Sequence, residues 1–589
     1  MNNWVVLAKK ADFKGLAKKL SVDQVVARIM VNRDIPESGM EAFLHPDMDR
    51  LHDPALMVDM DRAVFLLMQA IDQKKHIRVI GDYDIDGINS TYILLKGIRR
   101  CGGTADYAIP HRITDGYGIN PDMVDAAHEA GVEVIVTCDN GISALSAIER
   151  AKEHGMTIIV TDHHQVPYEE REDGSRIEKL PPADAVVDPH RSDDRYPFTD
   201  ICGAVVAWKL ITLLYQEYRV PKEETLGFLE NAAFATIGDI MPLLDENRVI
   251  VSFGLPAMAH TKNIGLDALI TRTGIDREAL STYHVGFVIG PCFNASGRLE
   301  TADMALSLLM EEDAAVAAKK AAELIAINDE RKHLTVRGME DAEALIESQC
   351  MHDGVMDRVL VIYVPGLHES LCGIVAGRIK GRYYRPVFVL TDGENEVKGS
   401  GRSIPSYSMY ERMNECSDYL LKFGGHPMAA GLSLSAAEVE GFRRSINEKC
   451  TLTDEELTPE VVIDVPMPLS YLTIERIRGL SVLEPFGQGN EKPVFADRDV
   501  EIRRLLYIGK EKQYLKLSLL SKGVCIDGLY FGDGAALIEA LVGKYGEDAI
   551  DGLFEGKPHD AAISFTYYPQ INSFRGTDSM QVVIDEWRV

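Results

Sequence analysis

The sequence predicts a multidomain α/β protein in four parts: a parallel-sheet domain, a long connecting helix, a second α/β domain and a carboxy-terminal β-barrel. Three observations predict it. From residue 77, short apolar runs alternate with helical patterns, as parallel βαβ units require. Between Asp303 and Arg337 there is neither glycine nor proline, and Ala, Glu, Lys and Leu dominate. From about Pro459, β-like runs follow one another, separated only by turns.

The elements follow in chain order. Residues 1–50 form an amino-terminal segment. Within 51–302, the runs IRVI, TADYAIP, VEVIVTC, TIIVT and ADAVV read as strands, with intervening helices ending near Gly102, Gly131 and Gly155. Residues 303–348 read as one or two long helices, spanning roughly 50 Å at about 1.5 Å per residue, and serve as a spacer between domains. In 349–458, RVLVIYVPG, RPVFVLT and LSLSAAEVEGF again mix strands and helices, joined by glycine-rich GSGRS and FGGHPMAAG. In 459–589, DVEIRRLLYIG, QYLKLSLLSKG and VCIDGLYFG suggest a small barrel.

The length of 589 residues corresponds to about three or four domains, and a hydrophobic content of 46% with 26% charged residues is that of a soluble globular chain. No run reaches the roughly 18 apolar residues of a membrane helix, and MNNWVVLAKKADFKG lacks the pattern of a signal peptide, so the expected location is cytoplasmic. Nine cysteines, odd in number and without a CxxC pair, argue against a disulfide framework and a structural zinc site. The balance of 62 Lys+Arg against 91 Asp+Glu gives a net charge of -29, which opposes nonspecific binding to a nucleic-acid backbone. A polyanionic substrate must therefore meet a local basic patch or metal ions.

In parallel sheets, ligands collect beyond the carboxyl ends of the strands. Here those ends read GDYDIDG, CDNG, TDHH and VDPH, so each acidic or imidazole cluster falls on the ligand edge. Asp82, Asp84, Asp86 and Gly87 match the opening of a calcium-binding EF-hand loop. The twelfth place, however, is Ile93 instead of Glu, and the entering segment is a strand. What remains is three carboxylates on a turn, which read alone is also compatible with a solvated acidic loop. Asp139 lies before Asn140-Gly141, a pair that permits a tight turn; its bland reading is an N-cap or Asx turn before a helix beginning at Ile142. Asp162, His163 and His164 follow TIIVT, and a histidine beside a carboxylate can be a metal ligand whose tautomer the carboxylate fixes.

Carboxylates and imidazoles without cysteine favour Mn²⁺ or Mg²⁺. With about five or six such ligands, two ions can sit roughly 3.5 to 4 Å apart, the spacing used to activate water and clamp a phosphoryl group. Phosphoester hydrolysis is thus the leading chemistry. Neither a GxSxG elbow nor a GxxxxGK[ST] phosphate loop is present.

At this point the motifs resemble the DHH phosphoesterase superfamily, and within it the branch of single-strand DNA exonucleases. The resemblance runs through GDYDIDG, VTCDNG, VTDHH, ICGAVVAWKL, ATIGDIMPL, GPCFNASGRL, GLHESLCGIVAGRI, GSGRS, FGGHPMAAG and EPFGQGNEKPVF. It implies a metal-binding DHH domain, the connecting helix, a DHH-associated domain that grips substrate and a carboxy-terminal OB fold. By position, it implies that Asp84 and Asp86 bind one metal each, that Asp139 bridges both, and that His163 and Asp239 complete the second site. His164 should face the scissile phosphate, Asp82 should support the first site, and Asp162 should stand behind the ligands. Arg298, Arg378, Ser400, Arg402, Gly424, Gly425 and His426 resemble the family's substrate contacts, arginine being suited to bidentate phosphate binding.

The chain departs from the pattern in places. Some relatives carry histidine where this chain has Ile80, which implies one ligand fewer at the first metal. The first motif has Ile85 for the usual alanine, and Cys292 replaces a motif arginine, removing one phosphate contact.

Two basic segments answer the acidic net charge. Arg378, Lys380, Arg382 and Arg385 cluster with Tyr383 and Tyr384; Arg503, Arg504, Lys510, Lys512 and Lys516 interleave with Tyr507 and Tyr514. Cations with aromatic platforms suit single-stranded nucleic acid. The resemblance implies a monomeric exonuclease of DNA repair and recombination that removes 5′-mononucleotides from the 5′ end. Its implied partners are single-stranded DNA, a single-strand-binding protein and a repair helicase, with no membrane. The alternatives are a DHH-type oligoribonuclease or cyclic-dinucleotide phosphodiesterase, and a noncatalytic DNA-binding scaffold.

Overall fold

The computed structural model describes residues 2–112, 114–171, 175–352, 354–557, 559–574 and 576–589. The chain forms two compact units, one of Leu51–Met241 and Ile250–Pro459, the other of Met1–Arg50, Pro242–Val249 and Glu460–Val589.

The larger unit holds the parallel sheet. Its strands are β1 (His76–Ile80), β2 (Thr104–Ala108), β3 (Val134–Cys138), β4 (Thr157–Thr161) and β5 (Ala185–Val187), in the order β2-β1-β3-β4-β5 and all parallel. Every residue of β3 is buried, as a strand covered on both faces requires. Helices that serve the site are α1 (Ile85–Arg100), α2 (Gly203–Glu217), α3 (Leu229–Gly238) and α4 (Gly290–Leu299).

The spacer resolves into a short helix, Asp303–Leu309, and a 37-residue helix α5 (Ala314–Cys350), capped by Asp313, whose carboxylate accepts the amides of Ala315 and Val316. Its buried residues Ala317, Ala321, Leu324, Asn328, Thr335, Gly338, Ala342 and Ile346 recur at intervals of three, four or, once, seven residues, so one stripe is covered along most of its length. The second α/β region follows: β6 (Leu360–Tyr363), helix α6 (Cys372–Tyr383), β7 (Val387–Asp392), β8 (Val397–Arg402), β9 (Lys422–His426) and β10 (Ala429–Leu434), in the order β6-β7-β8-β10-β9.

In the smaller unit, β11 (Phe495–Ile508), β12 (Tyr514–Ser521), β13 (Val524–Tyr530), β14 (Ala562–Phe574) and β15 (Thr577–Arg588) run β11-β12-β13-β15-β14, and β11 pairs with β14 to close the barrel. Leu515, Leu517 and Leu519 point inward at period two and fill it with Val500, Ile502, Leu505 and Phe565. The amino-terminal segment, read above as a separate part, folds into this unit. Strand Asn3–Val6 pairs in parallel with Glu460–Ile463, and Arg33 forms a bidentate ion pair with Asp464 at 2.7 and 3.0 Å. Arg248 is buried over the Phe43 ring and donates to the carbonyls of Phe43, Leu483 and Glu484. EPFGQGNEKPVF thus supplies backbone acceptors to a buried guanidinium.

Among the described residues, no helix is long and apolar enough to cross a membrane. All nine cysteines are free, and six are buried.

Candidate metal centre and phosphate-binding cleft

The turn after β1 delivers the first carboxylates. Asp84 caps α1 by accepting the amides of Asp86 (2.9 Å) and Gly87 (3.1 Å). Gly87 has no room for a side chain, since a β-carbon there would lie 2.4 Å from the Asp82 carbonyl oxygen. Asp86 is buried and receives the first amides of α2, Gly203 N–H at 2.6 Å on Oδ2 and Ala204 N–H at 2.7 Å on Oδ1. The positive end of α2 therefore orients this carboxylate, which accounts for the ICGAV motif.

Asp139 follows β3 in the left-handed region at φ 60°. It does not cap the next helix, which begins at Leu145 instead of Ile142; the amide of Ile142 is taken by Asp162 Oδ2 at 2.9 Å. Asp239 terminates α3 at its C-cap, where the helix dipole disfavours a carboxylate, so capping does not explain it.

These side chains converge. His163 Nε2 lies 3.1 Å from Asp139 Oδ1, 3.4 Å from Asp86 Oδ2 and 3.8 Å from Asp239 Oδ2. Ligand atoms within 4.8 Å of one another form three groups: Asp82, Asp84 and Asp139; Asp86, His163 and Asp239; and Asp139, His163 and His164. Asp139 belongs to the first and third groups and faces His163 of the second. Asp162 stands apart because its oxygens are occupied: Oδ1 accepts from the amides of His163 and His164 and from His164 Nδ1 at 2.8 Å. The VDPH cluster lies outside these groups, with Asp188 buried and bound to the amide of His190 at 2.8 Å. Ile80 is fully buried in the core with Ile119 and Ile135 and offers no ligand.

Burial, then the neighbouring carboxylates, pushes Asp82, Asp84, Asp139 and Asp239 above the usual carboxylate range. Burial lowers His163, which favours the neutral imidazole a metal requires. Burial also raises the thiols of Cys138 and Cys202, so neither supplies a thiolate. Clustered carboxylates and one neutral imidazole, mutually repelling without a cation, fit hard divalent ions such as Mn²⁺ or Mg²⁺. Burial opposes protonation of His164, yet the hydrogen bond and charge of Asp162 hold it up at about 9. Tyr117 donates to the Asp139 carbonyl at 2.7 Å, and its hydroxyl is 3.1 Å from His164 Nδ1.

Cations gather on the opposite side. A cavity of about 280 Å³ is lined by Asp82, Asp84, Arg112, Tyr117, Asn294 and Arg298. Burial, and then the charges of Arg112, Arg331 and Arg402, bring Arg298 down to about 10; Arg402 and Arg112 repel each other, as do Arg331 and Arg378. Such crowding suits an anion. Arg298 is aimed by a 2.8 Å bond to the Ser370 carbonyl, and Arg402 by bonds to Ser400 Oγ (3.1 Å) and the Gly401 carbonyl. A second cavity joins Arg112 to Ser370, Lys398, Ser400, Lys422 and Gly424, and His426 shares a third with Tyr117 and His164. Gly425, at φ 140°, approaches the Ala429 carbonyl too closely for any β-carbon.

Cys292 is buried and receives a hydrogen bond from Asn328 on α5, so this position faces the connecting helix and not the cavity. The basic segments are less uniform than their sequences suggest. Arg382 pairs with Glu343, Arg503 with Glu501 and Lys516 with Asp527. Tyr507 stacks on Phe554 at 5.0 Å, and Tyr514 meets Phe531 edge-on.

Sequence reasoning passed over Arg112, Tyr117, Asn294 and Arg331. The first two follow β2, the one strand of the sheet whose end shows no acidic cluster, and the ligand-edge rule applied to that strand would have found them.

Sequence models match the chain in three places: the DHH family, N-terminal domain, over residues 76–235; the DHHA1 domain over 357–451; and the RecJ OB domain over 463–586. The single-stranded-DNA-specific exonuclease RecJ of Escherichia coli is 32% identical over 544 residues, covering 89% of each chain. Its Bacillus subtilis counterpart is 36% identical over 527 residues, and the match spans 88% of this chain and 64% of that longer protein. Among solved structures, Thermus thermophilus RecJ in complex with Mn²⁺ superposes with a TM-score of 0.80 at 26% identity, covering 100% of this chain and 79% of that one. The Mg²⁺ complex gives 0.75 at the same identity, covering 100% and 78%. With parallel sheet, connecting helix, second α/β region and closed barrel all as the sequence foretold, the chain belongs to the RecJ family of single-stranded-DNA-specific exonucleases in the DHH superfamily.

Proposed function

We propose that this protein hydrolyses single-stranded DNA from its 5′ end, releasing 5′-mononucleotides, in DNA repair and recombination. The observation that carries the reading is the juxtaposition of Asp82 and Asp84, two carboxylates of the ligand cluster, with Arg112, Arg298 and Asn294 around one cavity. Two divalent ions, Mn²⁺ by preference or Mg²⁺, held by Asp82, Asp84, Asp86, Asp139, His163 and Asp239, would supply water activation and charge neutralisation at phosphorus.

The chain's own groups do the rest. Arg298 on α4, and Arg378, Arg402 and Ser400 with the backbone of Gly424 and Gly425 and the ring of His426 on the second α/β region, hold the strand's phosphates. Asp162 accepts the Nδ1 proton of His164, which leaves Nε2 to face a phosphate oxygen. Tyr117 fixes the Asp139 backbone. The strand passes between the two α/β regions of the larger unit, and the barrel, with Tyr507 and Tyr514 among its cations, is itself a binder of single-stranded nucleic acid. The protein acts as a monomer in the cytoplasm, with a single-strand-binding protein and a repair helicase as partners.

The test is degradation of an end-labelled single strand of about thirty nucleotides beside its duplex and a dinucleotide, with Mn²⁺, Mg²⁺ or chelator. Metal-dependent mononucleotide release from the 5′ end of the single strand is expected. Cleavage of the dinucleotide alone, or binding without cleavage, would overturn the reading.

A further inference from the structure

The smaller unit keeps one strand edge open. In the parallel pair Asn3–Val6 and Glu460–Ile463, Trp4 stands opposite Val461 and Val6 opposite Ile463, and the Leu7 amide donates to the Ile463 carbonyl at 3.0 Å. Successive residues of a parallel strand turn their backbone groups to opposite sides. Asn3, Val5 and Leu7 therefore bond to the neighbouring strand, and the N–H and C=O groups of Trp4 and Val6 point the other way, where among the described residues no third strand pairs. Such edges are ordinarily blunted by lysine, proline or a bulge. The strand NWVV has none of these, and Val6 is 45% exposed.

The open edge borders a cavity of about 540 Å³. Trp4, Val6, Pro466 and Pro468 give it apolar walls, and Arg498, Lys522 and Arg588 add three cations. Asp497 is the single carboxylate of the lining, and its oxygens are already engaged by the amides of Leu469 (2.8 Å) and Arg498 (2.9 Å) and by Ser521 Oγ (3.1 Å). A bulge in β11 opposite Ser564, with Asp499 at φ 52°, interrupts the ladder at Arg498, and bulges re-aim the side chains they carry. The Arg588 guanidinium lies 4.4 Å from the centre of the Trp4 ring and covers one of its faces. In a chain of net charge -29, unused backbone groups, apolar surface and positive charge thus meet at one place.

We propose that this edge and cavity dock an extended acidic peptide of a partner protein. The peptide adds to Asn3–Val6 as a third strand, sets apolar side chains against Trp4 and the two prolines, and brings carboxylates to Arg498, Lys522 and Arg588. The edge presents donors and acceptors in alternation, which matches another peptide strand; the sugar-phosphate backbone of DNA offers acceptors alone. A second copy of the chain fits less well, because NWVV brings no carboxylate to the three cations. None of these residues belongs to the carboxylate cluster or to the phosphate cavities, so the docking site is independent of the proposed hydrolysis.

The test measures fluorescence anisotropy of a labelled octapeptide alternating isoleucine with glutamate, on the full chain, on Arg498→Glu/Lys522→Glu and on Val6→Pro. Proline at position 6 removes an outward N–H that the ladder does not use, so the fold should persist, which the melting temperature checks. The parent should bind with a dissociation constant of about 50 µM or tighter and each variant at least about tenfold more weakly, while all three hold a thirty-nucleotide single strand in chelator within about twofold of one another. N-methylation of one alternate set of peptide residues should abolish binding and of the other set should not; lysine in place of glutamate should abolish it as well. No binding of the glutamate peptide at about 1 mM would overturn the site, and binding indifferent to both N-methylated sets would overturn strand addition. Variants that weaken the single strand instead of the peptide would assign the cations to nucleic acid and overturn the proposal, as would a parent dimer that Val6→Pro dissociates, which would assign the edge to a second copy.

Discussion

A β-carbon on Gly203 would stand 2.8 Å from the β-carbon of Asp139 and 3.1 Å from Asp86 Oδ2. The first residue of α2 is thus the point where two strand-end carboxylates meet a helix terminus, and only a residue without a side chain lets them do so. Gly203→Ala should push Asp139 away from His163, because the obstructing atoms are backbone and β-carbon, which cannot swing aside. We expect kcat/KM to fall by about 10²-fold or more, with weakened Mn²⁺ affinity by titration calorimetry. Turnover within about threefold of the parent would contradict this packing.

Asp139→Asn preserves a side chain that tolerates the left-handed backbone while deleting the shared negative charge. Hydrolysis should drop by at least ~10²-fold. In chelator the variant should melt at a higher temperature than the parent, since one of five mutually repelling carboxylates is gone, and added Mn²⁺ should stabilise it less. Differential scanning fluorimetry with and without metal checks both signs.

Gly373→Ala tests the phosphate side alone. Its β-carbon would lie 2.8 Å from an Arg402 guanidinium nitrogen and 3.0 Å from Ser400 Oγ, both mobile side-chain ends, so the fold should survive while Arg402 is displaced. KM for the single strand should rise about tenfold, the equivalent of ~1.4 kcal/mol for one misplaced phosphate contact, with little change in melting temperature.

Glu230, on α3, is buried, accepts from Thr261 Oγ1 at 2.7 Å, and is pushed by burial up to about 7 from 4.5. Below pH 4.5 folded and unfolded forms are both protonated and nothing is lost. Between 4.5 and 7 the unfolded chain ionises first, so stability declines, and above 7 the penalty is constant. Glu230→Gln keeps the acceptor and removes the ionisation. Its advantage over the parent should be small at pH 4.5 and grow to at most ~3 kcal/mol by pH 8 in denaturant unfolding.

How much of this was legible depends on where each residue's partners lie in the chain. Asp84, Asp86, Asp139 and His163 were readable because strand periodicity fixes which end of the sheet each follows, and the ligand edge does the rest. Asp239 had no such frame: it ends a helix, and its reason is His163, 76 positions earlier. Physically, a carboxylate at a helix C-terminus was the available clue, since it opposes the dipole. Cys292 shows the opposite failure. Its motif position suggested a phosphate contact, but helical phase turns it toward Asn328, and phase across a π-turn cannot be counted at 3.6 residues. The pairing of Asn3–Val6 with Glu460–Ile463 left no local trace, because a four-residue strand reveals nothing of a partner 457 residues away.

That pairing also orders events in time. The ribosome releases Val25, Val26 and Ile29 early, yet the core that buries them includes Val465, Leu469 and Phe495. At about 5–20 residues per second, the amino-terminal helices wait roughly half a minute to a minute and a half before their partners emerge. Throughout synthesis of the larger unit, the nascent chain therefore trails an unfinished apolar surface, a natural client for a chaperone, and a truncated product lacking the barrel would expose it permanently.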